Sequence, residues 1–142
     1  MKASRTRAGF TLIEVLVVLV ILGLLAGLVG PRLFGKVDAS KVRTAETQVR
    51  MLKTALQTFH LDAGRYPTTA EGLAVLRARP TDGELAGWAG PYLDDELPLD
   101  PWGNPFQYRD EAAASQDFTL YSLGADGKPG GEGLDADIGY LP

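Results

Sequence analysis

The order of apolar and polar residues divides the chain into three stretches. Residues 10–31 read FTLIEVLVVLVILGLLAGLVGP, an apolar run with one charge, Glu14, that gives way to Arg32 and Lys36. About 20 apolar residues at about 1.5 Å rise cross a hydrocarbon core of roughly 30 Å, so this run predicts a membrane-spanning helix. Over residues 36–62 the period changes. Val42, Ala45, Val49, Leu52, Leu56 and Phe59 recur at alternating spacings of 3 and 4, with Lys41, Arg43, Glu46, Gln48, Arg50 and Lys53 on the other faces. This predicts an amphipathic helix whose stripe packs on the protein's own sheet, since so short a heptad run does not demand a second helix. Ala63-Gly64 predicts its left-handed stop.

The remainder is punctuated by turn residues. Thr68 and Glu71 stand at capping-box spacing before Leu73, predicting a short helix that runs towards Arg79-Pro80. Residues 80–110 hold five of the nine prolines and four glycines. That composition predicts ordered loop, anchored by Trp88, Tyr92, Leu93, Leu97, Trp102, Phe106 and Tyr108. Period-two alternation predicts strands over 105–109 and 117–122. The expected fold class is α+β, a long N-terminal helix packed on a small antiparallel sheet with a loop-rich C-terminal region.

Composition narrows the chemistry. The 142 residues fit one globular domain. Without cysteine there is no disulfide, thiolate zinc site or cysteine nucleophile, and the single histidine, His60, reads as structural. The net charge of −4 conceals a split: residues 1–9 carry +3, residues 10–80 carry +4 and residues 81–142 carry −11. An acidic rear lacks the clustered Lys/Arg face that phosphate contacts need, so no nucleic-acid partner is expected. No enzyme is expected either. Ser4, Ser40, Ser115 and Ser122 have only His60 as a base, and no G-x-S-x-G or P-loop occurs. Asp94, Asp95 and Glu96 beside Trp88, Tyr92 and Trp102 admit a paired-carboxylate hydrolase, against the plainer reading of a solvated turn.

Two features have competing readings. The basic start, Lys2, Arg5 and Arg7, also suits a cleaved secretory signal, although such signals have apolar regions of only about 7 to 15 residues. Glu14 either pairs with a partner, because a carboxylate in an apolar span is costly, or lies at the membrane interface favoured by the helix dipole.

The string Arg7-Ala8-Gly9-Phe10-Thr11-Leu12-Ile13-Glu14 resembles the class III signal of type IV pilins and pseudopilins. The resemblance implies cleavage by a prepilin peptidase between Gly9 and Phe10, methylation of the new N-terminal Phe10, and pairing of Glu14 with the N-terminal amine of a neighbouring subunit. It also implies a bent or melted helix at Pro31. Three further strings, Tyr66-Pro67-Thr68-Thr69 with Glu71-Gly72-Leu73, Leu97-Pro98-Leu99-Asp100-Pro101-Trp102-Gly103-Asn104-Pro105, and Tyr121-Ser122-Leu123-Gly124-Ala125-Asp126-Gly127, resemble the major pseudopilins of type II secretion. Ordinary type IV pilins, the alternative, usually close their C-terminal loop with a disulfide. Residues 111–115 depart from the pattern as an extra alanine-rich stretch.

The implied organisation is a leader peptide (1–9), a transmembrane and filament-core helix (10–35) and a periplasmic globular domain (36–142) on the inner membrane. The implied function is polymerisation into a pseudopilus that drives export of folded proteins. The implied partners are copies of the chain in a helical filament, minor pseudopilins, prepilin peptidase and an inner-membrane assembly platform. Residues 123–138, LGADGKPGGEGLDADI, gather Asp126, Glu132, Asp135 and Asp137 in a glycine-rich loop. Mutual repulsion there suits a hard cation or a solvated turn, and Lys128 and Gly130 exclude an EF-hand. The resemblance implies calcium held by the Leu123 carbonyl, Asp126, Asp135 and Asp137, with Glu132 the weakest candidate.

Overall fold

The computed structural model describes residues 9–81, 85–111 and 116–142, with residues 31–35 by backbone alone. Contacts divide it into two compact units, Met1–Val37 and Asp38–Pro142. The principal element is α1 (Leu12–Ala63), 52 residues long. Thr11 opens it: its Oγ1 accepts the Glu14 amide at 3.3 Å while its carbonyl accepts the amides of Glu14 and Val15 at 3.1 and 3.3 Å. That is an N-cap. Of the bent or melted helix expected at Pro31, the melted form is not seen, since the helical backbone continues through Pro31. Proline removes one amide, the partner of the residue 27 carbonyl, and one missing bond does not end so long a helix. The helix stops at Gly64, whose φ of +75° lies where glycine alone is unstrained and whose amide donates to the His60 carbonyl at 2.8 Å.

Within the second unit the predicted stripe is the core face. Ala45, Val49, Leu52, Leu56 and Phe59 are buried together with Ala55, and Val42 is half-buried. They meet a three-stranded antiparallel sheet, β1 (Gln107–Asp110), β2 (Phe118–Ser122) and β3 (Ile138–Tyr140), in the order β1-β2-β3. Tyr108 pairs with Leu120, and Leu120 with Tyr140. Leu120 and Phe118 from β2 join Phe106 and the helix residues in one cluster. Each large side chain there contributes roughly 1.5–3 kcal/mol by leaving water. Strand β3 was not foreseen. Its three residues include Gly139 and are too few to show a period.

The short helix expected after Thr68 is reduced to a 3-10 turn, Leu73–Leu76. Leu73, Val75 and Leu76 of this turn are all buried. The capping box itself forms: the Glu71 amide donates to Thr68 Oγ1 at 3.2 Å and the Thr68 amide to Glu71 Oε2 at 2.7 Å. Arg65 clamps the same carboxylate with two bonds of 2.7 Å, and this guanidinium holds the Glu71 carboxyl well below the usual range, at about 2.

Most of the predicted anchors are in place. Trp88 Nε1 donates to the Val75 carbonyl at 2.9 Å, Tyr92 lies edge-on to Phe59, and Leu93 and Phe106 are buried. Tyr108 donates its hydroxyl to the Pro67 carbonyl at 2.7 Å, and burial pushes its phenol up. Leu97 is the exception, 37% exposed. His60 stacks on Tyr66 with ring centroids 4.5 Å apart. The Glu111 amide donates to the Asp117 carbonyl at 3.2 Å across the base of the alanine-rich stretch, of which 112–115 lie outside the described residues.

Candidate functional site

Three groups of residues carry the candidate chemistry. The first is the start of α1. Gly9 and Phe10 are exposed immediately ahead of the helix, and Glu14 stands exposed in its first turn. The first eight residues of the leader lie outside the described residues. Leu12–Gly30 is long and apolar enough to cross a membrane, and none of it is buried within the chain. Its surface therefore needs lipid or other helices around it.

The second group has no pattern of its own in the sequence. Asp100 is only 4% exposed and its carboxylate is shared three ways. Oδ1 accepts the amides of Trp102 at 3.0 Å and Asn104 at 2.8 Å, and Oδ2 accepts the Ser122 hydroxyl at 2.6 Å. Ser122, buried at the end of β2, in turn accepts the Gly124 amide at 3.2 Å. The Asp100-Pro101-Trp102-Gly103-Asn104 string is thus an aspartate-closed turn pinned to the strand that delivers the acidic loop. An Asp followed by Pro, Gly and Asn signals such a turn, but nothing in the sequence couples it to a serine 22 residues later.

The third group is that loop. Gly124 has a φ of +66°, and a Cβ there would stand 2.7 Å from the Ala136 carbonyl oxygen. The two limbs of the loop therefore close at this point, and the Ala125 amide donates to the Leu134 carbonyl at 2.9 Å. Asp126 Oδ1 accepts the Lys128 amide at 3.0 Å as a local turn. Asp137 reaches across the loop, with Oδ2 accepting the Gly130 amide at 2.9 Å. Its Oδ1 is buried without a hydrogen-bond partner. Asp135 and Glu132 are exposed around a 3-10 turn, Gly133–Asp135. Among the described residues no three His, Cys, Asp or Glu side chains stand together as a metal site. The loop thus places Leu123, Asp126, Asp135 and Asp137 on one segment without gathering their carboxylates. Among the described residues of this loop, the orphaned Asp137 oxygen is the atom that asks for a cation. Asp94, Asp95 and Glu96 lie exposed on a bend.

Comparison with known proteins places the chain in a family. The family described as type II secretion system (T2SS), protein G, matches residues 32–141, and the prokaryotic N-terminal methylation motif matches residues 4–30. The type II secretion system core protein G of Pseudomonas aeruginosa is 46% identical over 136 residues, covering 95% of each chain. That of Vibrio cholerae is 44% identical over 140 residues, 98% of this chain and 94% of the relative. The crystal structure of the major pseudopilin from the type 2 secretion system of enterohaemorrhagic Escherichia coli superposes with a TM-score of 0.59 at 33% identity, over 76% of this chain and 92% of that one. With a methylation motif running into a protein G body along one polypeptide, the chain belongs to the type II secretion protein G family, the major pseudopilins.

Proposed function

We propose that the chain is held in the inner membrane by Leu12–Gly30 and polymerises into a periplasmic pseudopilus that drives export of folded proteins. The observation that carries this is the union of an N-terminal methylation motif with a protein G body. The apolar surface of the first unit serves both stages, facing lipid before assembly and other copies of the same helix afterwards. Cleavage between Gly9 and Phe10 suits their exposure ahead of the helix, where a peptidase can reach the bond. The basic leader then stays cytoplasmic and the body lies in the periplasm. Cleavage leaves Phe10 with the new amine as the site of methylation. Glu14, with a carboxylate in an otherwise apolar segment, supplies the negative charge that such an amine on a neighbouring copy would meet. Minor pseudopilins, prepilin peptidase and an assembly platform are the partners this life cycle requires.

Calcium fits the acidic loop through Asp137, whose buried Oδ1 has no partner. Leu123 through its carbonyl, Asp126 and Asp135 would complete the shell, drawing together carboxylates that stand apart without the ion. Bound there, calcium would supply charge neutralisation and a cross-link between the limbs of the loop.

Intact mass of the protein purified from membranes is the deciding measurement. A mature chain beginning at a methylated Phe10 is expected. A chain that begins elsewhere in cells with an active prepilin peptidase overturns the assembly reading.

A further inference from the structure

The side of α1 opposite the core carries an unusual surface. Arg43, Thr47, Arg50, Thr54, Thr58 and Leu61 are all exposed there, and 3.6 residues per turn places them in one arc centred away from Leu52 and Phe59. Leu61 is 82% exposed, and Met51 on the edge of the arc is 45% exposed. Threonine is a mediocre helix former, and a helix that stays in water is better served by Glu, Lys or Gln. Here the hydroxyls are turned back on the helix. Thr47 donates to the Arg43 carbonyl at 2.9 Å, Thr54 to that of Arg50 at 3.0 Å and Thr58 to that of Thr54 at 3.0 Å. With their hydrogens donated internally and Thr47 Oγ1 also accepting the Arg50 guanidinium at 3.5 Å, these hydroxyls lose less on being covered than free ones would. The charges on the arc are positive: Arg43 and Arg50 form no ion pair among the described residues, while Glu46 stands at the rim beside Arg50.

The complementary surface is on the same chain. Asp94, Asp95 and Glu96 are exposed on a bend and are followed by Leu97 and Leu99, 37% and 56% exposed. The bend is held at both ends, by buried Leu93 before it and buried Asp100 after it. Gln48 Nε2 donates to the Leu99 carbonyl at 3.1 Å and so fixes this segment beside α1. At 3.6 residues per turn Gln48 lies roughly 150° round the helix from Arg43 and Arg50, so the bend faces away from its own chain's basic arc. The two surfaces therefore match in charge and in apolar content but cannot meet within one molecule.

We propose that the basic threonine face around Arg43, Thr47, Arg50 and Thr54 takes the acidic, leucine-flanked bend at residues 94–97 of a second copy of the chain. Because the two surfaces differ, the contact is heterologous, and each added copy exposes a fresh site, which is the condition for an open chain rather than a closed dimer. The inference rests on the filament reading and assigns its contact between globular bodies.

The absence of native cysteine makes the test direct. Full-length chain carrying Thr54→Cys and Asp95→Cys is overproduced, sheared fibres are collected and oxidised, and non-reducing gels are read. A ladder of dimers, trimers and higher species is expected from the pair, and no ladder from either single variant. Independently, Arg43→Glu with Arg50→Glu should reduce fibre yield at least about tenfold, since juxtaposed like charges repel strongly, and adding Asp95→Lys with Glu96→Lys should restore it. Fibres that form yet give no ladder, or a charge exchange that fails to restore them at equal subunit levels, overturn this interface and leave the filament reading intact. If the parent chain forms no fibres at all, the filament reading fails, and this interface with it.

Discussion

Replacing Asp100 should be the most damaging single polar substitution in the globular unit. The Asp100→Ala variant removes an acceptor from three donors: the Trp102 amide at 3.0 Å, the Asn104 amide at 2.8 Å and the Ser122 hydroxyl at 2.6 Å. Each hydrogen bond to a carboxylate contributes about 1.5–3 kcal/mol, against the cost of keeping that charge out of water. After truncation the turn amides can rehydrate in part, whereas Ser122 at 0% exposure cannot. The balance is a loss of about 3–4 kcal/mol. For a unit of this size that lowers the melting temperature by about 12–25 °C. The Asp100→Asn variant separates charge from shape. Its oxygen still serves the two amides, and only the bond to Ser122 must reverse, so about 1–1.5 kcal/mol is expected. Denaturant and thermal unfolding of the detergent-solubilised full chain, followed by the fluorescence of Trp88 and Trp102, reads both. A loss below about 1 kcal/mol for Asp100→Ala, or equal losses for the two variants, would refute the three-way sharing as the source of stability.

Further outcomes follow from the other groups. Glu71 has its carboxyl held at about 2 by Arg65, so its stabilisation is complete above the ordinary carboxylate range near 4.5 and is lost as pH falls towards 2. Taken alone the drop corresponds to about 3 kcal/mol, but Arg65 is 42% exposed and screening reduces this to about 1–2 kcal/mol. Glu71→Gln should cost that amount at pH 7 and flatten the stability profile between pH 5 and 2, and an unchanged profile counts against the ion pair. Calcium at about 100 times its dissociation constant should add about 2.7 kcal/mol to the globular unit. Asp126→Ala and Asp137→Ala should each bring the melting temperature in calcium close to that of the parent in chelator, and a parent indifferent to calcium strikes out the metal site. Glu14→Ala should give processed, membrane-held subunits that assemble poorly, so normal fibre yield from this variant removes the pairing role of Glu14.

The periodic elements are legible along the chain because their signal is local. A 22-residue apolar run, a stripe at spacings of 3 and 4, and the Thr68 and Glu71 box needed no knowledge of what they pack against. Tertiary structure alone decided three things. The segment 73–76 is a 3-10 turn rather than a longer helix, with Leu73, Val75 and Leu76 buried in the core. Strand β3 depends on the edge that β2 offers it, since Ile138 and Tyr140 favour extended backbone but three residues interrupted by Gly139 are too short to form a strand alone. Asp100, read in the sequence only as part of a resemblance, became a buried hub because folding carries Ser122 to 2.6 Å from it. The acidic loop shows the same limit at a candidate site. Composition found its carboxylates, but only the closure at Gly124 and the burial of Asp137 Oδ1 single out the oxygen of this loop left without a partner, since burial and pairing depend on the folded arrangement.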